Sequence, residues 1–203
     1  MKCLREITAT AGMCGAQMQH DFAEKLAFTR GVREATDTDT IFSMLPGCIS
    51  VRKTDTQQDK QGVDFVATLR RGTEVLIDSK TRTPGASRYW QSGPELALEI
   101  WSVLPGGKYA VQPGREKAGW TLNEASPADM ILYTFDPADS SDAFLVGFQP
   151  LRMAFRAFFA EWRGKYKIDI QDSGSWQSEC VFVPACVVLD GIKSASIWHL
   201  NEF

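Results

Sequence analysis

The residue types able to do chemistry concentrate in residues 58–82, QDKQGVDFVATLRRGTEVLIDSKTR. Asp64 enters one apolar run, Phe65-Val66-Ala67, and Asp78-Ser79-Lys80 leaves the next, Val75-Leu76-Ile77. Fourteen positions separate the aspartates, the length of one β-hairpin turning at Arg71-Gly72-Thr73. With a side-chain period of two, Val75 and Ile77 take one face of the second strand, and Leu76 and Asp78 take the other. Neighbouring strands lie roughly 5 Å apart, so both carboxylates and the Lys80 ammonium are expected at one end of the hairpin. Two adjacent carboxylates repel, and each resists ionising unless a cation sits between them. An oxygen-only pair suits Mg2+ or Mn2+ rather than zinc.

An aspartate entering one strand and Asp-x-Lys leaving the next resembles the PD-(D/E)xK nuclease superfamily, the fold of type II restriction enzymes, archaeal Holliday-junction resolvases and many phage nucleases. Asp64, Asp78 and Lys80 match the three motif positions, and Val63 stands where the pattern has proline. The resemblance covers about residues 48–135. It implies that Asp64 and Asp78 bind Mg2+ (or Mn2+), with the backbone carbonyl of Ser79 as a further oxygen. It also implies that Lys80 positions or activates the attacking water. Many members add a metal-binding glutamate from the first helix, and Glu24 is the candidate here, an exposed helical glutamate being the alternative. The implied fold is α/β in the α+β sense: a restriction-endonuclease-like core with a central mixed β-sheet flanked by helices.

The surrounding elements must position these groups. Residues 18–33 have helical spacing through Phe22, Leu26 and Thr29, with Gly31 near the end. His20 suits a surface or helix-start position better than a ligand. Thr36 to Thr40 reads as a polar turn capping a short helix over 41–45, which Pro46-Gly47 ends. Residues 48–51 read as a strand and 54–62 as a polar loop preceding Asp64. Beyond Lys80, the loop 81–91 holds Arg82 and Arg88, suited to phosphates, and Tyr89 and Trp90, suited to stacking on bases. An aromatic anchor packed on the domain is the other reading of that pair. Gly93-Pro94 is expected to open a helix with Leu96, Ile100, Val103 and Leu104 buried. Glu95 and Glu99 then share another face, as a solvated pair or an extension of the acid cluster. Residues 108–123 look irregular, and 128–135 and 144–148 read as strands joined by the turn 136–142. Pro150 to Arg163 is amphipathic, with Leu151, Ala154, Phe155, Phe158, Phe159 and Trp162 apolar. So many aromatics suit core packing or a homodimer face. The tail reads as a strand over 180–183 and a short helix to Ile192.

The chain has 203 residues, 44% hydrophobic and 23% charged, the composition of one globular domain, with a core over about 18–150 and an added C-terminal helix and strand. A net charge of −3 does not advertise a nucleic-acid binder, so DNA contacts would need one local basic face. Two groups offer one: Arg70, Arg71, Lys80, Arg82 and Arg88, and Arg152, Arg156, Arg163, Lys165 and Lys167. Five scattered cysteines without a CxxC pair suit reduced, mostly buried thiols in a cytoplasmic protein rather than zinc or disulfides. Arg5 and Glu6 interrupt any signal-peptide core, and no apolar run is long enough to cross a bilayer. No GxSxG, P-loop or dinucleotide motif is present. The expected function is a Mg2+-dependent deoxyribonuclease, with DNA as partner and RNA as the other candidate. A nuclease-fold protein that binds nucleic acid or protein without cutting is the alternative, and an interaction domain with a coincidental Asp-x-Lys is the third.

Overall fold

The computed structural model describes residues 33–82, 84–90, 93–108, 114–136, 139 and 141–200. The expected helix at 18–33, with His20 and Glu24, lies outside the described residues.

The strands β1 (Cys48–Lys53), β2 (Phe65–Leu69), β3 (Glu74–Thr81), β6 (Met130–Thr134) and β7 (Ala143–Gly147) form a five-stranded sheet in the order β1-β2-β3-β6-β7. All its pairings are antiparallel except β3 with β6, which places Asp78 beside Ile131 and Lys80 beside Tyr133. The sheet is therefore mixed, and β3 sits at its centre, bonded on both sides. Helix α1 (Arg33–Met44) lies against one face through Ile41, which packs with Phe65, Ala67, Ile77 and Leu132. The expected cap at 36–40 is itself helical, because the chain turns helical before Ile41 and puts Asp37 inside. Between β1 and β2 the expected polar loop contains a short helix, α2 (Thr56–Lys60), capped by Asp55 through the amides of Gln57 and Gln58.

The segment expected to be a helix after Pro94 is a strand instead. β4 (Glu95–Val103) pairs with β9 (Gln177–Pro184) and briefly with β5 (Lys117–Ala118), and β8 (Ile168–Asp172) completes a four-stranded sheet, β5-β4-β9-β8. The sequence carries the reason. Leu96 and Ile100 are four apart and fit either period, but Leu98 between them fits only alternation, and all three are buried. Leu96 stands opposite Val183 and Leu98 opposite Val181.

Helices α3 (Phe148–Lys165) and α4 (Ala185–Leu200) complete the main core, in which Phe155 and Trp162 meet Leu98, Val181 and Val188. Phe158 stacks on Trp162 with centroids 5.7 Å apart, and Gly191 of α4 comes so close that a Cβ there would meet the Trp162 ring at 2.9 Å. On the aromatic face of α3, Phe155 and Trp162 are buried, and Phe158 and Phe159 are half-buried against the same core. Among the described cysteines Cys180 is buried, Cys48 half-buried and Cys186 exposed, and all are free. No described helix is long and apolar enough to cross a membrane.

Candidate active site

Asp64 stands just beyond the Phe65–Ile77 pair, where β2 begins. Its backbone is clamped from both sides: its amide donates to the Ile77 carbonyl at 2.9 Å, and its carbonyl accepts from the Thr54 amide at 2.9 Å. The Thr54 hydroxyl adds bonds to the Val63 and Asp64 carbonyls. Val63, immediately before Asp64, is buried. The Asp64 side chain reaches across to β3, where Oδ2 accepts the Ser79 amide at 2.7 Å.

From β3, Asp78 and Lys80 project to one face, and Lys80 Nζ lies 2.5 Å from Asp78 Oδ1. The Asp78 side chain is 5% exposed and that of Lys80 28%. Asp64 therefore sits beside a nearly buried carboxylate. Burial first, and then the charge of Asp78, push its carboxyl above the ordinary value of 3.8, against the pull of the Ser79 amide and of Lys80. The pair that the sequence suggested is gathered, and it carries the electrostatic conflict that a cation would relieve.

Three further groups complete the surroundings. Ser79 alternates to the opposite face, where its hydroxyl donates to Oδ2 of the buried Asp37 on α1 at 2.8 Å. Gly62 lies near the Asp78 carboxylate, about 4.0 Å from Oδ2 at the position a Cβ would occupy. The Trp120 ring stands 5.8 Å from Lys80 Nζ. It is held by Glu99, whose Oε2 accepts the Trp120 amide at 3.1 Å and the Ser102 hydroxyl at 2.5 Å. Glu99 is thus neither a solvated helix-face residue nor part of the acid pair. Its partner in that expectation, Glu95, is buried. Asp37 lies in a stretch with the composition of a helix cap, and Trp120 in one without periodicity. The only signal for Trp120 was a large aromatic in a Gly-rich turn.

The candidate nucleic-acid residues divide. Arg82 is half-buried, with its guanidinium 4.5 Å over the Phe182 ring. Trp90 packs edge-on against Phe135 at 5.4 Å and is the anchor of its loop. Arg88 and Tyr89 are exposed, with the Arg88 guanidinium 4.7 Å over the Tyr89 ring. Arg70 and Arg71 lie at the far end of the hairpin from the acids. In the second basic group, Arg156 pairs with Glu124 and Arg163 with Glu179, while Lys167 lies 5.2 Å from the Tyr89 ring.

The donor set fits a small hard cation that keeps most of its water: two carboxylates, with the Ser79 carbonyl nearby in sequence. No group of three or more His, Cys, Asp or Glu side chains able to enclose a metal is found among the described residues. Comparison of the chain with protein-family models, with curated proteins and with solved structures gives no significant match.

Proposed function

We propose that this chain is a Mg2+- or Mn2+-dependent nuclease of the PD-(D/E)xK type, hydrolysing phosphodiester bonds of DNA at Asp64, Asp78 and Lys80. The observation that carries the reading is the meeting of these three groups at one end of the β2–β3 hairpin, with Asp64 held in a raised, desolvated state by burial and by Asp78. When bound, the cation would offset charge on the phosphate and make a water more acidic. The chain supplies the rest. Asp64 and Asp78 would hold the cation from the start of β2 and from β3. The Ser79 amide fixes the Asp64 carboxylate, and Asp37 fixes Ser79 from the far side of the sheet. Lys80, paired with Asp78 at the mouth of the site, would steady negative charge developing on an incoming phosphate or water.

The test compares cleavage and affinity on one DNA for the wild type, Lys80→Ala and Arg88→Ala. Lys80→Ala is expected to lower the rate about 10²–10³-fold while changing affinity no more than Arg88→Ala does, and EDTA is expected to stop cutting. Absence of cutting on duplex, single-stranded, junction and RNA substrates with Mg2+ and Mn2+ would end the reading. The Lys80–Asp78 ion pair, in which each group already neutralises the other, favours a second reading, a nuclease-fold protein that binds nucleic acid without cutting it. That protein would show equal, modest affinity losses in both variants and no rate to lose.

A further inference from the structure

Just past the end of β3 comes Arg82, two residues and about 6.6 Å of extended chain beyond Lys80, its amide donating to the Thr134 carbonyl at 3.1 Å. Arg82 lies on one ring, Phe182, which it shares with Lys167 at 5.7 Å. Lys167 in turn shares a second ring, Tyr89, with Arg88. From Arg82 outward cations and rings thus alternate, and they come from four stretches of chain: the end of β3, the Ala86–Tyr89 turn, Lys167 and β9. Along this series the exposure rises: Lys80 and Arg82 are half-buried, whereas Lys167, Arg88 and Tyr89 are exposed, Tyr89 at 52%.

The Tyr89 ring is half exposed, with the cations of Arg88 and Lys167 lying over it. Trp90, its neighbour, anchors the loop on Phe135. The turn itself, a 3-10 helix over Ala86–Tyr89, is tied down by Asp139, which accepts the Ala86 amide at 2.9 Å and the Ser87 hydroxyl at 2.5 Å. That hydroxyl bond holds the Asp139 carboxyl below its ordinary value. The result is an aromatic ring presented to solvent on a turn fixed at both ends, flanked by two cations. Presenting such a ring on a rigid support lowers the ordering cost of anything that stacks on it.

A duplex keeps its base faces inside and offers only phosphates to such a surface. An unpaired strand offers both phosphates and base faces, and stacking on an aromatic ring beside cations is how single strands are held. We infer that the strip Lys80–Arg82–Lys167–Tyr89–Arg88 is a track for an unpaired nucleic-acid strand, which stacks a base on Tyr89 and leads its backbone to the acid pair. The inference rests on the nuclease reading for what happens at the end of the track, but not for the binding itself.

Binding is read by fluorescence anisotropy in EDTA, where nothing is cut, using an oligothymidylate strand and a blunt mixed-sequence duplex of equal length. The wild type is expected to hold the strand at least about tenfold tighter than the duplex. Tyr89→Ala should weaken strand binding about five- to a hundredfold, the span of one lost stacking contact, with duplex binding unchanged. Tyr89→Phe should keep the strand affinity, because the ring and not the hydroxyl is used. Lys167→Ala should weaken the strand, and Lys193→Ala, which removes the same charge from α4, should not. Circular dichroism checks that each variant is folded, and Tyr89→Phe guards against a fold defect in the alanine variant. Equal affinity for strand and duplex, no strand binding by the wild type, or no effect of Tyr89→Ala would each overturn the track. Tight, Tyr89-dependent strand binding by a protein that cuts nothing with Mg2+ would end the nuclease reading and leave the track standing. Duplex cutting with Tyr89-independent binding would do the reverse.

Discussion

Asp64 has a position that a structural carboxylate would not choose. Its folded state favours the protonated form, so its contribution to stability is present below its ordinary value of 3.8 and is lost as pH rises through the raised one. Asp64→Asn keeps the neutral form at every pH. In metal-free buffer at pH 7 its thermal midpoint is expected at or above that of the wild type, while cutting is abolished. A midpoint well below the wild type would mean that the carboxylate holds the fold. Ser79 should behave in the opposite way. Ser79→Ala removes the hydroxyl that Asp37 accepts inside the sheet–helix contact, a loss of about 1–3 kcal/mol. Thermal melting should therefore show a lower midpoint, with metal binding weakened through the looser β3.

At the scale of elements, the acid hairpin was legible because both of its signals are local: period-two alternation and a turn with glycine. Residues 128–135 and 144–148 were legible for the same reason. β4 was not, because Leu96 and Ile100 satisfy the helical and the extended period together, and Pro94 suits a helix start. The cost of that ambiguity is carried into the site, since Glu99 and Trp120 meet only if β4 is a strand. β8 was missed because Ile168-Asp169-Ile170 is a short alternation that pairs with β9, a contact set by distant residues. Where β4 approaches the Trp120 turn, a Cβ on Gly119 would lie 2.2 Å from the Glu99 carbonyl oxygen. Gly119→Ala is expected to destabilise by more than about 1 kcal/mol and to disturb cutting. Gly164→Ala, in α3 with nothing within 4 Å of its Cβ, is expected to stabilise by about 0.5–1 kcal/mol. Denaturant melts of the two variants should shift in opposite directions.

For the whole molecule, the two sheets and helices α3 and α4 share one core, so a ligand at the acid pair should be felt in global unfolding. Mg2+ at a hundred times its dissociation constant adds about 2.7 kcal/mol, which for a chain of this size raises the midpoint by about 5–10 °C. The shift should vanish in Asp78→Asn, as differential scanning fluorimetry with and without EDTA would show. A shift that survives in that variant would place the cation elsewhere. The net charge of −3 is not opposed to nucleic-acid binding, because the cations at Tyr89 are gathered locally, Arg88 from the Ala86–Tyr89 turn and Lys167 from just before β8. The parallel β3–β6 ladder has a consequence for the order of events during synthesis. The acids arrive together in a hairpin that closes over a short loop, but β3 keeps a bare edge until β6 is made, after the whole of β4 and β5. Contacts so far apart in sequence form slowly. A growing chain thus carries both carboxylates well before it carries the strand and the Trp120 turn that enclose them. On the proposed reading, the capacity to grip a cation would belong to the finished chain and not to the hairpin alone.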